Sequence, residues 1–226
     1  MAAISLRESR NISRYIGMEK ISNQEIPDMT TPKTLLELAG ADLKPPRLRD
    51  ACLVLIDLQY EYLAGPIALP DARAAIANTA KLLARARAAG TSIFHVAHKG
   101  RPGGLFDRSA ERGAIVDELT PLANEPVIEK GLPNSFAGTD LAARITATGR
   151  KEIILAGLMT HMCISSTARA GLDLGYRITV DADSCATRDL PDGRGGSIAA
   201  ATVHEVALAE LSDRFAIITR GDDALV

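Results

Sequence analysis

The sequence predicts a three-layer, doubly wound α/β fold: a Rossmann-like, six-stranded, mainly parallel sheet with helices on both faces. Three observations predict it. Short apolar runs alternate with amphipathic stretches from residue 51 to residue 219. The first run, ACLVLID (51–57), is almost continuously apolar, as a strand covered on both faces must be. No internal repeat or low-complexity segment interrupts the alternation.

Residues 1–48 read as an arm, polar and irregular, with its first 25 or so residues a partly disordered tail. Within it TTPKTLLELAG (30–40) has a Thr-Pro start and a Gly stop, which predicts one short helix. DLKPPRLRD (42–50) is a linker into a main domain spanning 49–226. After the strand at 51–57, DARAAIANTAKLLARARAAG (71–90) sets Ile76, Ala80 and Leu83 apart from Arg85 and Arg87 and ends in Gly, an amphipathic helix. TSIFHVAH (91–98) and EPVIEK (125–130) are the next strands. TDLAARITATG (139–149) offers Thr139 as N-cap, Leu141 and Ile145 one turn apart, and a Gly stop. The unit repeats as strand 151–157, helix 160–174 and strand 176–183. A helix over 197–213 and a strand over 215–219 complete the set.

In such sheets ligands sit beyond the carboxyl ends of the strands. Asp57 ends the first strand, Lys130 ends the third, and Cys163 follows the fourth across a tight turn into a helix. Each has a plain structural reading: a turn carboxylate, a solvated loop lysine, a small buried hydrophobe. Together they supply the parts for cleaving an amide. A thiol attacks only as thiolate, which a helix N-terminus and a nearby ammonium favour. A carboxylate can take its proton and return it to a leaving amine. Backbone N–H groups of the turn can hold the oxyanion.

LVLIDLQYEYL (53–63), VIEKGLPNSFAGTDL (127–141) and ILAGLMTHMCISSTARAGLDLGYRITVDADSCATRDL (154–190) resemble, in order and spacing, the three signature segments of the isochorismatase-like cysteine hydrolases. The resemblance covers about residues 48–220. It implies Asp57 as general base, Lys130 as the cation that lowers the cysteine pKa, and Cys163 as nucleophile forming a thioester-type adduct. It implies a cis peptide at Leu158–Met159, with the Met159 and Cys163 N–H groups as oxyanion hole. Tyr62 matches an aromatic wall position; Phe136 and His98 are further candidates for the pocket, His98 equally as a satisfied histidine after the second strand. His161 reads as a turn residue at the mouth, and Cys52 and Cys185 as packing.

The departures from the family narrow the chemistry. The metal-dependent nicotinamidase set, Asp-x-His with a further His, is missing, so no metal and no cofactor are expected. The turn reads Met-Thr-His-Met-Cys where carbamoylsarcosine-amidase-like members have Thr-Thr-Ser-Gly-Cys. Vinyl-ether-cleaving isochorismatases lack the cysteine. The leading expectation is therefore cleavage of a small-molecule C–N bond in an amide, ureide or carbamate. The alternatives are an ester or vinyl ether hydrolase and a non-catalytic binding member of the fold.

Lys and Arg (26) nearly balance Asp and Glu (28), for a net charge of −2, which gives no electrostatic case for nucleic acid or an anionic membrane. Three cysteines without framework spacing, and no secretory apolar segment, place the chain in the reducing cytoplasm. Leu35, Leu36 and Leu38 in the arm offer an apolar patch. A homo-oligomer, dimer or tetramer, is expected, with the arm either across a subunit boundary or folded back on its own domain.

Overall fold

The computed structural model describes residues 31–221 and 224–225. The tail expected over the first 25 residues lies outside them. The chain divides by internal contacts into Met1–Pro32 and Lys33–Val226, and the elements that follow belong to the second unit.

The short helix expected from 30–40 is α1, Leu35–Leu38, and it begins later than the Thr-Pro pair suggests. Thr34 is the N-cap: its hydroxyl accepts the Glu37 N–H at 3.1 Å, and Glu37 accepts the Thr34 N–H at 2.7 Å, closing a capping box. The stretch lies on its own chain, with the Leu35 N–H donated to Asp213 at 2.8 Å. Arg177 donates to the carbonyls of Asp42 and Lys44 further along it.

The core elements then follow as β1 (Ala51–Ile56), α2 (Glu61–Ala64), α3 (Ala72–Ala88), β2 (Ser92–His98), β3 (Val127–Lys130), α4 (Leu141–Ala147), β4 (Glu152–Leu158), α5 (Ser165–Asp173) and β5 (Arg177–Ala186). A two-stranded antiparallel hairpin, β6 (Leu190–Pro191) and β7 (Ser197–Ile198), precedes α6 (Ala200–Arg214) and β8 (Ile217–Thr219). Six strands form one sheet in the order β3-β2-β1-β4-β5-β8, and every pair is parallel. β1 is fully buried along its length. Leu53 and Leu55 face one layer with Ile76, Leu82 and Leu83 of α3. Cys52, Val54 and Ile56 face the other with Leu141, Ile145, Ala168, Leu208 and Leu211 of α4, α5 and α6. The chain leaves β1 first toward β2 and β3, then returns to β4, so the order reverses beside β1, the place at which sheets of this kind bind ligands beyond the strands' carboxyl ends.

Among the element ends that differ from the sequence reading, three have a visible cause. The helix expected from 197 starts at Ala200, because Ser197–Ile198 pair with the preceding strand and the Ala200 N–H is held by Asp189 at 2.7 Å. The residue in the N-cap position of α4 is Asp140, but the cap bond comes from Thr139, whose hydroxyl accepts the Leu141 N–H at 3.4 Å and donates to Ser135 O at 2.6 Å. β5 runs past Asp183 to Ala186, its register shifting where it passes Leu155 and Gly157.

At the far end of the sheet Glu125 is buried among donors: Arg87 Nε and Nη2 at 2.8 Å each, the Leu122 N–H at 3.0 Å and His95 Nε2 at 3.1 Å. Hydrogen bonding from Arg87, which outweighs desolvation, holds the Glu125 carboxyl down at about 2. Burial holds His95 below its usual range, so it sits neutral with Nε2 donating. Because the folded value lies below the ordinary 4.5, this stabilisation is complete above that pH and lost as pH falls toward 2. Thermal unfolding along an acid series is expected to lose on the order of 2–3 kcal/mol through this group, and Glu125→Gln to flatten that part of the profile.

Candidate active site

β1 ends at Ile56 and Asp57 adopts a left-handed backbone, φ 55°, a region Asp tolerates better than most residues. Its N–H is still donated to Val96 O at 2.8 Å, so the strand edge is satisfied while the chain breaks away. Gln59 fixes the exit: its side chain accepts the His98 N–H at 2.8 Å and donates to His98 O at 3.0 Å and Gly113 O at 2.7 Å. The carboxylate is thereby held rigidly over the end of the sheet.

Lys130, the last residue of β3, is fully buried at its side chain. Its Nζ donates to Asp57 Oδ2 at 2.6 Å and to Cys163 Sγ at 3.3 Å, with His98 Nδ1 a looser neighbour at 3.5 Å. Asp57 Oδ1 is buried with no hydrogen-bond partner. Asp57, Lys130 and Cys163 thus meet at one point, from three strands, as their places at the strand ends anticipate.

Cys163 arrives through a turn of unusual build. Gly157 has φ 136°, and a Cβ there would stand 2.0 Å from Ile56 O. The Leu158–Met159 peptide that follows is cis. Thr160–Ile164 form a π-type turn, with the Ile164 N–H reaching back to Met159 O at 3.2 Å before α5 begins. Thr160 is buried and its hydroxyl meets His204 Nδ1 at 2.8 Å; His161 Nδ1 meets the Thr187 hydroxyl. Gly157→Ala is expected to force β1 and β4 apart, costing about 3 kcal/mol or more. The check is a lowered thermal midpoint with β1–β4 amides exchanging faster.

The electrostatics correct one expectation. Burial first, and the Asp57 charge second, push the Cys163 thiol up to about 12, against the opposing pull of Lys130. Lys130 does pull the thiol down, as the resemblance implies, but burial outweighs it and favours the thiol form in the resting site. Burial also raises Asp57, opposed by Lys130. Raising the acceptor narrows the gap over which a proton must move from sulfur to carboxylate.

Tyr62 is 2 % exposed, its ring edge-on to Phe106 at 5.2 Å, and its phenol is raised by burial and by the Asp57 and Cys163 charges. His98 tilts against the same Phe106 at 5.0 Å. Phe106, itself at φ 56°, is held by its N–H to Glu61 at 3.1 Å, and Glu61 is paired with Arg112 at 3.0 Å. Tyr62, His98 and Phe106 form an aromatic cluster that reaches the charged pair through His98, beside Lys130, and Tyr62, which feels the Asp57 charge. Phe136 is turned elsewhere: it stacks on Tyr176 at 5.9 Å and 12° and lies against Gly171 of α5. Cys52 and Cys185 are free and buried in the core. Among the described residues, no group of three or more His, Cys, Asp or Glu side chains is placed to hold a metal ion, and no helix is long and apolar enough to cross a membrane.

Sequence reasoning passed over Gln59, Phe106 and Glu61. Gln59 had a signal in its place two residues after Asp57. Phe106 owes its position to loop folding that no local pattern encodes, and Glu61 is recruited by that loop through the Phe106 N–H and Arg112.

The family model described as Isochorismatase domain matches residues 51–223. A crystal structure of an isochorismatase from Pseudomonas putida KT2440 superposes with a TM-score of 0.83 at 40% identity, covering 87% of this chain and 100% of that one. The secreted isochorismatase effector Isc1 of Verticillium dahliae is 38% identical over 77% of this chain and 90% of its own length. Maleamate amidohydrolase of Pseudomonas putida is 26% identical over 78% of this chain and 86% of its own.

Proposed function

We propose that this chain, which belongs to the isochorismatase family, is a cysteine-dependent amidohydrolase that cleaves a C–N bond of a small molecule. That it is an enzyme of the hydrolase class follows from the family and its named relatives. The single observation behind the finer reading is the buried contact of Lys130 Nζ with both Asp57 Oδ2 and Cys163 Sγ.

In this reading Asp57 takes the thiol proton as sulfur attacks the carbonyl carbon, so no standing thiolate is required. The negative oxygen lies toward the Met159 and Cys163 N–H groups. Collapse breaks the C–N bond, and the proton on Asp57 goes to the leaving nitrogen. Water, deprotonated by Asp57, then attacks the thioester; the C–S bond breaks and the proton returns to sulfur. One amide and one water become one carboxylic acid and one amine. Lys130 keeps Asp57 ionised between steps and offsets charge on sulfur. No metal or cofactor enters this cycle.

A screen of small amides, ureides and carbamates for ammonia release, with and without prolonged chelation, tests the proposal. Release that survives EDTA is expected; release lost to EDTA and restored by zinc overturns the cofactor-free mechanism. Exclusive turnover of an ester or vinyl ether, the bond class suggested by the isochorismatase names among the relatives, overturns the C–N assignment. Three free, buried thiols support a reducing, cytoplasmic setting. Leu35 and Leu38, 52% and 68% exposed, support association into a dimer or tetramer, which light scattering measures directly; a monomer ends that part of the proposal.

A further inference from the structure

Two reciprocal side-chain bonds tie the turn that carries Cys163 to the rest of the fold. Thr160, the first residue of that turn, is fully buried, and its hydroxyl meets His204 Nδ1 of α6 at 2.8 Å. His161 follows, and its Nδ1 meets the Thr187 hydroxyl just past β5. Inside the turn the backbone bonds are shared. Met159 O accepts both the Met162 N–H at 3.0 Å and the Ile164 N–H at 3.2 Å, and the Ser165 N–H reaches back to Thr160 O. A single π-type turn is an uncommon local conformation, so its shape depends on anchors outside it.

His204 has what such an anchor needs. It stands in the second turn of α6, a 15-residue helix whose start is fixed by the Ala200 N–H on Asp189 at 2.7 Å, so it comes from a rigid element. Burial holds its imidazole below the usual range, so the ring is neutral and the bond brings no charge beside Thr160. The bond also gives the buried Thr160 hydroxyl a partner, without which its burial would be costly. His204 stands apart from the reacting groups. It lines a cavity of about 280 Å³ with Asp71, Asn78, Asp183 and Thr187, and the described residues around that cavity do not include Asp57, Lys130 or Cys163. Its influence on the chemistry therefore runs through Thr160, which lies one residue after Met159 and three before Cys163.

We infer that His204 is a positioning residue: by holding the Thr160 hydroxyl it aims the Met159 and Cys163 N–H groups at the oxygen of the tetrahedral intermediate. This rests on the proposed function, in which Cys163 is the nucleophile and those two amides receive the oxyanion. Hydrogen bonds weaken steeply off line, so a turned donor loses much of its effect on the transition state. The thiol's own partner is untouched, because Lys130 reaches Cys163 from β3. His204 thus governs steps that pass through an oxyanion and leaves direct displacement by sulfur unchanged.

Two thiol reagents separate those two kinds of step. With p-nitrophenyl acetate the sulfur attacks the ester carbonyl through a tetrahedral oxyanion; the C–S bond forms, the C–O bond breaks, and the thiol proton leaves on p-nitrophenol. With iodoacetamide the sulfur displaces iodide, its proton passes to solvent, and no oxyanion forms. Acylation is read as the p-nitrophenol release that Cys163→Ala abolishes, and alkylation at the Cys163 peptide by mass spectrometry. In His204→Leu and in Thr160→Val the acylation-to-alkylation rate ratio is expected to fall about tenfold, less than the roughly 10²–10³-fold lost with a whole oxyanion donor. The double variant is expected to lose no more than either single one. His204→Asn, whose amide can stand where Nδ1 stands, is expected to recover most of the ratio. An unchanged ratio in both single variants, losses that multiply in the double variant, or a ratio in His204→Asn as low as in His204→Leu overturns the inference. If His204→Leu does not fold, an unchanged ratio in Thr160→Val overturns it alone. Wild-type Cys163 that takes up neither group overturns the nucleophile reading, and the inference falls with it.

Discussion

Cys163→Ala is expected to lower turnover by about 10⁴-fold or more while leaving the fold intact, because the proposed covalent adduct forms on its sulfur. The cost to stability is small. The substitution removes one sulfur atom from a packed site and no charge, about 1 kcal/mol at most. Circular dichroism and the thermal midpoint should therefore match wild type while hydrolysis disappears. Hydrolysis persisting in this protein would remove Cys163 from the mechanism.

Asp57→Asn is expected to fail in two respects at once. An amide cannot accept the thiol proton, and with the thiol resting near 12 there is no other route to the nucleophile; a loss of about 10³-fold follows. The same substitution leaves the Lys130 ammonium fully buried without its counter-ion at 2.6 Å, at a cost of about 3–5 kcal/mol. For a chain of this length that is a fall of roughly 10 °C in midpoint. The contrast between the two variants is the test: equal stability in both would mean that the Asp57–Lys130 pair is not the buried charge centre described above.

Much of this arrangement was legible in the sequence. β1 declared itself because a strand buried on both faces needs unbroken apolarity, and the residues that break such runs at the carboxyl ends are those facing the crevice. Asp57, Lys130 and Cys163 could be found that way. What stayed hidden depends on partners remote in sequence. Asp189 caps a helix eleven residues downstream, which turns the expected first residues of α6 into a hairpin strand. The strand read over 176–183 in fact continues through buried Ser184, Cys185 and Ala186 and so brings Ala186 beside Leu158. Phe136 stood in a matched segment but found Tyr176, a partner remote in sequence, on the side of Gly171. The thiol's protonation also escaped the sequence, since charge order along a chain says nothing of depth.

That depth has a consequence for how the enzyme endures its surroundings. Peroxide and similar oxidants attack thiolates, and a sulfur that is 4 % exposed and protonated at rest is a poor target. An enzyme with a standing thiolate would need reductants to survive an oxidative burst. Here the reactive form exists only while Asp57 holds the proton and a substrate occupies the space above, so the nucleophile is disarmed between turnovers. Brief peroxide exposure should therefore spare an idle sample.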